Sequence, residues 1–292
     1  MRGDAEAHQM VAPGTLAGVL ELMAEQPGQW TPIAGGTELM VAHAAGRLPP
    51  AKLVSLWGIA DLRFIETRGE SIVIGAGATF TDMRNHGGIV ADLPLLARAA
   101  AWIGSIANQS RATIGGNLVN GSPAADSSPA LLVYDTEAEM ISVRGTRRVP
   151  YKDFHTGYKK NALAGDELLY AVHVPRRFGA YRQYLRKVGT RRAMAVSKVA
   201  LGGIALLESG FIREVRLAAA SLAPYPARLY HTEDALRAKA PDEEAARGAH
   251  ASLLKEILPI DDIRSTAEYR RCVAANLLTE FLTELQRPEA AR

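Results

Sequence analysis

Two glycine pairs about eighty residues apart, in Ala34-Gly35-Gly36-Thr37-Glu38 and in Thr113-Ile114-Gly115-Gly116-Asn117, constrain this chain more than any other feature. Glycine accepts positive φ and lets other groups approach its backbone, and each pair is bordered by a threonine hydroxyl. Each segment therefore reads as a concave turn with exposed backbone N–H groups, able to hold an oxyanion. One such turn marks only a bend. Two of the same chemistry, the second continuing into Asn120-Gly121-Ser122-Pro123-Ala124-Ala125-Asp126, point to a diphosphate gripped from two sides.

The pairs sit in ordered surroundings. Apolar spacing predicts a helix over 14–26, a strand over 30–33 that feeds the first glycine turn, and a helix over 37–45. A strand over 52–56 follows, then a hairpin of 63–66 with 71–77 whose turn contains Gly69. The Ala-, Leu- and Ile-rich stretch 93–106 predicts a buried helix leading to the second glycine turn. Beyond a short apolar segment at 130–133, strands are expected over 138–144 and 147–149, around a Gly145-Thr146 turn, and over 167–174.

Basic and glycine residues cluster from 176 to 189, which places a domain boundary near residue 178. The remainder predicts strands over 181–187, 199–207 and 212–220, then helices over 231–238, 243–257 and 266–285, an α+β unit. Tyr269, Val273, Leu277 and Phe281 form the expected core stripe of the last helix. Cys272 beside them is expected to be a buried small hydrophobe.

Composition removes several function classes. With 292 residues, 48% of them apolar, the chain can build more than one core. The single cysteine excludes an intrachain disulfide, and also an iron–sulfur cluster or multi-thiolate zinc site made by this chain alone. A reducing compartment is expected. No apolar run has membrane-spanning length, and Asp4 and Glu6 stand where a secretory signal would be basic and then apolar, so the reading is cytoplasmic. The net charge is +3, yet the basic residues fall in short groups, 144–148, 176–177 and 186–192, with carboxylates between them. No nucleic-acid surface is expected, although the 186–192 group could face an anionic cofactor or a partner subunit. HExxH, metal-spaced His/Cys groups, a Gly-x-Ser-x-Gly elbow, a phosphate loop ending in Gly-Lys-Ser/Thr and Gly-x-Gly-x-x-Gly are all absent. No residue reads as a catalytic acid, base or nucleophile, or as a metal ligand. A cofactor with two phosphates and a large apolar body remains, and FAD fits best.

The ordered motifs resemble the FAD-binding medium subunit of molybdenum hydroxylases, the carbon monoxide dehydrogenase and xanthine dehydrogenase family. Both glycine segments carry the resemblance, together with Ser122 to Asp126, Asp153-Phe154-His155-Thr156-Gly157-Tyr158, Lys187-Val188-Gly189, Arg192-Ala193-Met194, Pro259 to Arg264 and Glu268 to Arg271. The resemblance implies an α+β fold: a two-subdomain FAD-binding module of the PCMH (vanillyl-alcohol-oxidase-like) type, then a C-terminal antiparallel sheet with a helical bundle. The module would span 1–178, with subdomains of about 1–58 and 59–178, and the C-terminal domain would span 179–292. By the same resemblance Thr31, Pro32, Ile33, Ala34, Gly35, Gly36, Thr37 and Glu38 line the diphosphate and ribityl region. Thr113, Ile114, Gly115, Gly116 and Asn117 close on it from the other side. Asp126 accepts from cofactor hydroxyl or ring N–H groups, its alternative being to cap the segment after it. Ile103 and Leu169 contact the rings. Family members commonly carry Pro-Gln-Ile-Arg-Asn before the second loop, where this chain has Ile106-Ala107-Asn108-Gln109-Ser110, so the approach to the cofactor or to the iron–sulfur subunit is expected to differ there.

Lys187 by itself reads as a solvated edge-strand lysine; within its matched motif it reads as a cation near the flavin pyrimidine edge, favouring the anionic reduced form. The implied function is electron transfer from 2Fe-2S clusters of a small subunit, fed by a molybdopterin-binding large subunit, to NAD⁺, a quinone or another acceptor. A heterotrimer or a dimer of heterotrimers is implied. The alternatives are a self-sufficient FAD-dependent oxidase or dehydrogenase, for which Tyr158, His155 and Tyr184 are the available side chains, and a nucleotide-binding scaffold without redox chemistry.

Overall fold

In the computed structural model, which describes residues 7–191 and 193–287, the chain begins with a parallel sheet of β1 (His8–Val11), β3 (Ala51–Ser55) and β2 (Trp30–Ile33) in that order. Asp4, Glu6 and Arg192, used in reading the sequence, lie outside the described residues. Parallel neighbours need crossovers, and helix α1 (Leu16–Glu25) supplies the first. Thr15 caps α1 by accepting the Gly18 N–H at 3.1 Å, and Pro27 prevents its continuation. Val19, Leu20 and Met23 recur on one face and bury against Trp30 and Val54. Helix α2 (Leu39–Ala44) follows the first glycine pair.

A second, antiparallel sheet has the order β4 (Ile65–Arg68), β5 (Ser71–Gly75), β10 (Leu168–Pro175), β6 (Glu137–Ser142), β7 (Gly145–Pro150). The intervening chain contributes short helices: α3 (Phe80–Asn85), α4 (Gly87–Asp92), α5 (Pro94–Trp102), α6 (Ile106–Gln109), α7 (Ile114–Val119) and α8 (Ser128–Val133). Phe80, Leu96, Ile114, Leu131 and Tyr134 bury with Ile72, Ile74 and Val172 in one cluster. A small hairpin of β8 (His155–Gly157) and β9 (Lys160–Asn161) lies outside this sheet.

Three expectations change here. The helix expected over 93–106 ends at Trp102, because Gly104 turns the chain at φ +51° and Ser105 starts α6 with a capping box. In α6, where the family pattern departs, Gln109 is buried; its amide holds the Ala101 and Ile103 carbonyls while its oxygen accepts from Arg84. The β6–β7 turn falls at 143–144 rather than at Gly145-Thr146. The second glycine pair is no open turn but the first turn of α7.

The C-terminal sheet runs β11 (Arg182–Val188), β12 (Val199–Glu208), β13 (Phe211–Ala220), β14 (Ala227–Arg228), all antiparallel. Helices α9 (Tyr230–Leu236), α10 (Glu243–Glu256) and α11 (Ala267–Gln286) bury Leu236, Leu253, Leu277 and Phe281 on one face. Helix α8 packs on the other. Successive strand residues point to opposite faces, and two adjacent glycines use this: a Cβ on Gly202 would come within 3.1 Å of Pro129 in α8, and one on Gly203 within 3.0 Å of Phe281 in α11. An ionic joint adds to the contact. Asp135, just after α8 at φ +51°, is paired with Arg177, Arg216 and Arg228, and Arg228 also pairs with buried Glu233 at 2.7 Å.

Along α11 the buried face is Arg270, Ala274, Leu277, Leu278, Phe281, Leu282 and Leu285. Tyr269 and Cys272 are exposed, against expectation, because the helix turns its stripe one position away from them. Gly202→Val should lower stability by about 1–3 kcal/mol through overpacking against Pro129. Equilibrium urea denaturation checks this, with Gly210→Ala, whose added Cβ meets open space, reporting backbone strain alone.

Candidate functional site

A cavity of about 760 Å³ lies where the three units meet, within the size range of cofactor sites. One wall is the end of β2 and the first glycine segment, where Gly36 adopts φ +73°. The N–H groups of Gly35, Gly36, Thr37 and Glu38 have no acceptor among the described residues. Four consecutive donors without such a partner thus precede α2. Thr31 and Thr37 also line the cavity, and their hydroxyls have no hydrogen-bond partner among the described residues.

The second glycine segment faces it but works differently. Its N–H groups are internally bonded: Ile114 to the Ala78 carbonyl at 3.0 Å, Gly115 to the Ala76 carbonyl at 2.9 Å, Gly116 to Thr113 Oγ1 at 3.1 Å and Asn117 to the Thr113 carbonyl at 3.0 Å. Carbonyls of the 76–78 segment take two of these donors and Thr113 takes the other two, so the segment offers no N–H that an open turn would expose. Thr113 and Asn117 line the cavity; the Asn117 amide oxygen accepts from Ser127 at 2.6 Å, and its NH₂ has no partner among the described residues.

The glycines serve close approach. A Cβ on Gly115 would lie 2.6 Å from that of Ala76. A Cβ on Gly35 would collide with the Arg111 carbonyl and come within 3.1 Å of the Ala112 nitrogen, so the two segments touch. Trp57 holds Arg111 in place, stacked between the guanidinium groups of Arg111 at 3.8 Å and Arg63 at 4.2 Å from its ring centre. At the far end Gly28 donates to the Gly165 carbonyl at 2.8 Å, and both line the wall.

Among the residues expected at the site, Thr31 to Glu38, Ile103, Thr113, Gly115, Gly116, Asn117, Asp126 and Leu169 all line this one cavity. Ile114 does not; its side chain is fully buried beneath the loop. Lys187 does not line it either. Its Nζ donates to Asp126 Oδ2 at 2.5 Å and to the Trp102 carbonyl at 3.2 Å, so Asp126 stands between its charge and the cavity. Asp126 caps nothing, since Ser127 is the residue at the α8 entrance. Burial pushes the Asp126 carboxyl upward, against the opposing pull of Lys187 and Ser197. The β10–β6 register shifts between Leu169 and Ala171, beside the point where Leu169 lines the cavity.

The lining carboxylates are all matched: Glu38 with Lys159 at 3.6 Å, Asp126 with Lys187, and Glu167 with Arg147 at 2.6 Å. The Arg147 guanidinium holds Glu167 below the usual carboxylate range. An anionic ligand therefore meets no uncompensated negative charge here. Tyr158, His155 and Tyr184 do not line the cavity; His155 is buried with its ring bonded to the Leu118 carbonyl at 2.8 Å, and burial lowers its pKa.

Met194, Ala195 and Val196 also line the cavity, unanticipated as site residues. The Met194 N–H donates to the Gly104 carbonyl at 3.2 Å, bringing the segment after β11 over the rim near Ile103. The quoted Ala193-Met194 motif was the only sequence signal for it. Asn108, Asn120, Asn161 and Leu163 complete the wall, and nothing in their local pattern distinguishes them.

A cavity lined on one side by four N–H groups without acceptors among the described residues, and on the other by apolar Leu62, Ile103 and Leu169, suits an anionic, two-part ligand. Residues 6–177 match the family described as the FAD binding domain in molybdopterin dehydrogenase, and residues 183–285 match the CO dehydrogenase flavoprotein C-terminal domain. The chain is 31% identical over 272 residues to the xanthine dehydrogenase FAD-binding subunit of Escherichia coli O157:H7, covering 92% of this chain and 93% of that one. It is 30% identical to the nicotinate dehydrogenase FAD-subunit of Eubacterium barkeri, over 70% of each. Its fold is shared with a chain of CO dehydrogenase from Oligotropha carboxidovorans, at a TM-score of 0.91, 24% identity and 98% coverage of both. The chain belongs to the family of FAD-binding domains of molybdopterin dehydrogenases.

Gly35→Val and Gly115→Val should each abolish FAD retention, because their Cβ atoms fall on backbone or buried neighbours, whereas Gly116→Ala, whose Cβ meets only Thr113 Oγ1 at 3.2 Å, should keep most of it. Flavin absorbance per chain after gel filtration, with circular dichroism as the folding control, makes the comparison.

Proposed function

We propose that this chain is the FAD-carrying, electron-transferring subunit of a heteromeric molybdenum hydroxylase, an oxidoreductase. The observation that carries the reading is the cavity that both glycine segments line, with four unsatisfied N–H donors on one side and an apolar wall on the other. The proposed units are 1–178 for FAD, with subdomains of about 1–58 and 59–178, and 179–292 for the C-terminal domain.

The residues fit the cofactor. Thr31 to Glu38 would bind the diphosphate through the backbone cradle. Thr113 and Asn117 would donate to it or to the ribityl hydroxyls from the opposite wall, with Gly115 and Gly116 allowing the approach and Ile114 anchoring the loop from below. Ile103 and Leu169 would pack on the ring system and exclude water. Asp126, held by Lys187, would face the pyrimidine end, so the charge of Lys187 acts through the pair rather than by direct contact.

FAD, when bound, supplies the conversion between single-electron arrivals and two-electron delivery. Donors would be 2Fe-2S clusters of a small subunit, fed by a molybdopterin-binding large subunit, in a heterotrimer or a dimer of heterotrimers. NAD⁺, a quinone or another carrier would accept. The single cysteine supports this division, since clusters need thiolates from elsewhere. No described helix is long and apolar enough to cross a membrane.

Purification from the native host tests the assembly: molybdenum and iron should copurify with two further chains, and the FAD-loaded chain alone should turn over no substrate. Substrate oxidation by the isolated chain would favour the self-sufficient oxidase instead. Lys187→Met should retain flavin while lowering its reduction potential, because the cation that favours the anionic reduced form is gone; spectroelectrochemical titration measures it, and an unchanged potential contradicts the charge argument.

A further inference from the structure

A buried polar line leaves the cavity at Asp126 and ends on the last helix. The Ser197 hydroxyl donates to Asp126 Oδ1. The Ser197 carbonyl accepts from Ser221 Oγ at 2.9 Å, and the Ser221 carbonyl accepts from Arg270 Nη1 at 3.1 Å. Arg270 Nη2 donates to Asp262 Oδ1 at 2.6 Å. Asp126, Ser197, Ser221 and Arg270 are buried, at 7, 1, 5 and 4% exposure. The Ser221 N–H also donates to the Pro123 carbonyl at 2.7 Å, so one residue ties α11 to the tail of the second glycine segment.

Packing alone does not account for this line. Ser221 is held at φ +66°, a left-handed backbone that residues with a Cβ avoid unless their surroundings over-determine it. Arg270 is buried with its Nε lacking any acceptor among the described residues, an unfavourable place for a cation on a helix face that continues as Ala274, Leu277 and Phe281. An apolar residue would fill that position without such penalties. The hydrogen bonds instead run in series, and the last donor, Ser197, bonds Asp126, the carboxylate at the cavity wall.

Resting on the flavin reading above, we propose that Arg270 is a positioning residue for the cofactor: by holding Ser221 it fixes Ser197 as the second donor to Asp126 and orients the Asp126–Lys187 pair. Lys187 occupies one carboxylate oxygen and Ser197 the other. Losing the Ser197 donor leaves the carboxylate free to turn about Lys187 and less compensated toward the cavity. Its exposed negative charge disfavours electron addition to a flavin beside it.

The test uses the FAD-loaded protein in mildly alkaline buffer, with Ser197→Ala, Arg270→Gln, Arg270→Lys and the Ser197→Ala/Arg270→Gln double variant. Flavin potential, flavin content and melting temperature are measured for each. Ser197→Ala and Arg270→Gln should keep FAD and lower the potential by less than Lys187→Met does. The double variant should go no lower than the larger single shift, as groups acting in one line are non-additive, and Arg270→Lys should recover part of it. Unchanged potentials in Ser197→Ala and Arg270→Gln, or fully additive shifts, overturn the proposal. Should Arg270→Gln fail to fold, Ser197→Ala and Arg270→Lys decide. An unchanged potential in Lys187→Met defeats the placement of the flavin itself, whereas a shift there with none in Ser197→Ala defeats only the line from Arg270.

Discussion

The contact of the Gly35 backbone with the Arg111 carbonyl is the constraint on which the rest of the structure depends. It joins the parallel sheet of the first unit to the helical layer of the second at the point where both turn toward the cavity. A side chain at residue 35 would hold the units apart. With hydrogen there, β2 delivers four free N–H groups opposite Thr113 and Asn117, and the cleft between the units becomes a shaped cavity. The stacking of Arg63 and Arg111 on Trp57 keeps the Arg111 side of that contact from drifting.

Charge in the cavity is managed by pairing. No lysine or arginine among the described residues lines it, and each lining carboxylate is matched by a cation behind the wall. A diphosphate would thus be received by backbone dipoles, which impose geometry without adding a mobile side chain. Asp126 is the carboxylate held by the C-terminal unit, since Lys187 from β11 and Ser197 from the segment before β12 occupy its two oxygens. The charge at the Asp126 end of the cavity is consequently set by the C-terminal unit, although the first glycine segment belongs to the first unit.

That arrangement explains why a unit far along the chain belongs to the site. Gly202 and Gly203 let one sheet pack closely between α8 and α11, and the Asp135 cluster clamps the end of α8 to β13 and β14. Helix α8 begins directly after Asp126, so the joint that fixes the domains also fixes the carboxylate. The segment over the rim, through Met194 to Val196, is carried by the same sheet.

Local chemistry made much of this legible. Apolar periodicity, Pro27 and the strand–glycine–helix order mark β2 and the meander β11 to β13 within a residue or two, because those elements bury one regular face. The short helices α3 and α4 are too brief to establish a period, and the exposure of Cys272 is not legible because a stripe's exact phase depends on what it packs against. For the cavity, the sequence by itself determined two glycine segments with threonines, hence where backbone could approach a ligand. Only the tertiary structure decided that one segment's N–H groups have no acceptor among the described residues while the other's are taken by the 76–78 carbonyls and by Thr113, and that Lys187 lies behind Asp126. Backbone hydrogen bonding and the facing of distant strands are settled by neighbours far apart in the chain, and spacing along one segment does not encode them.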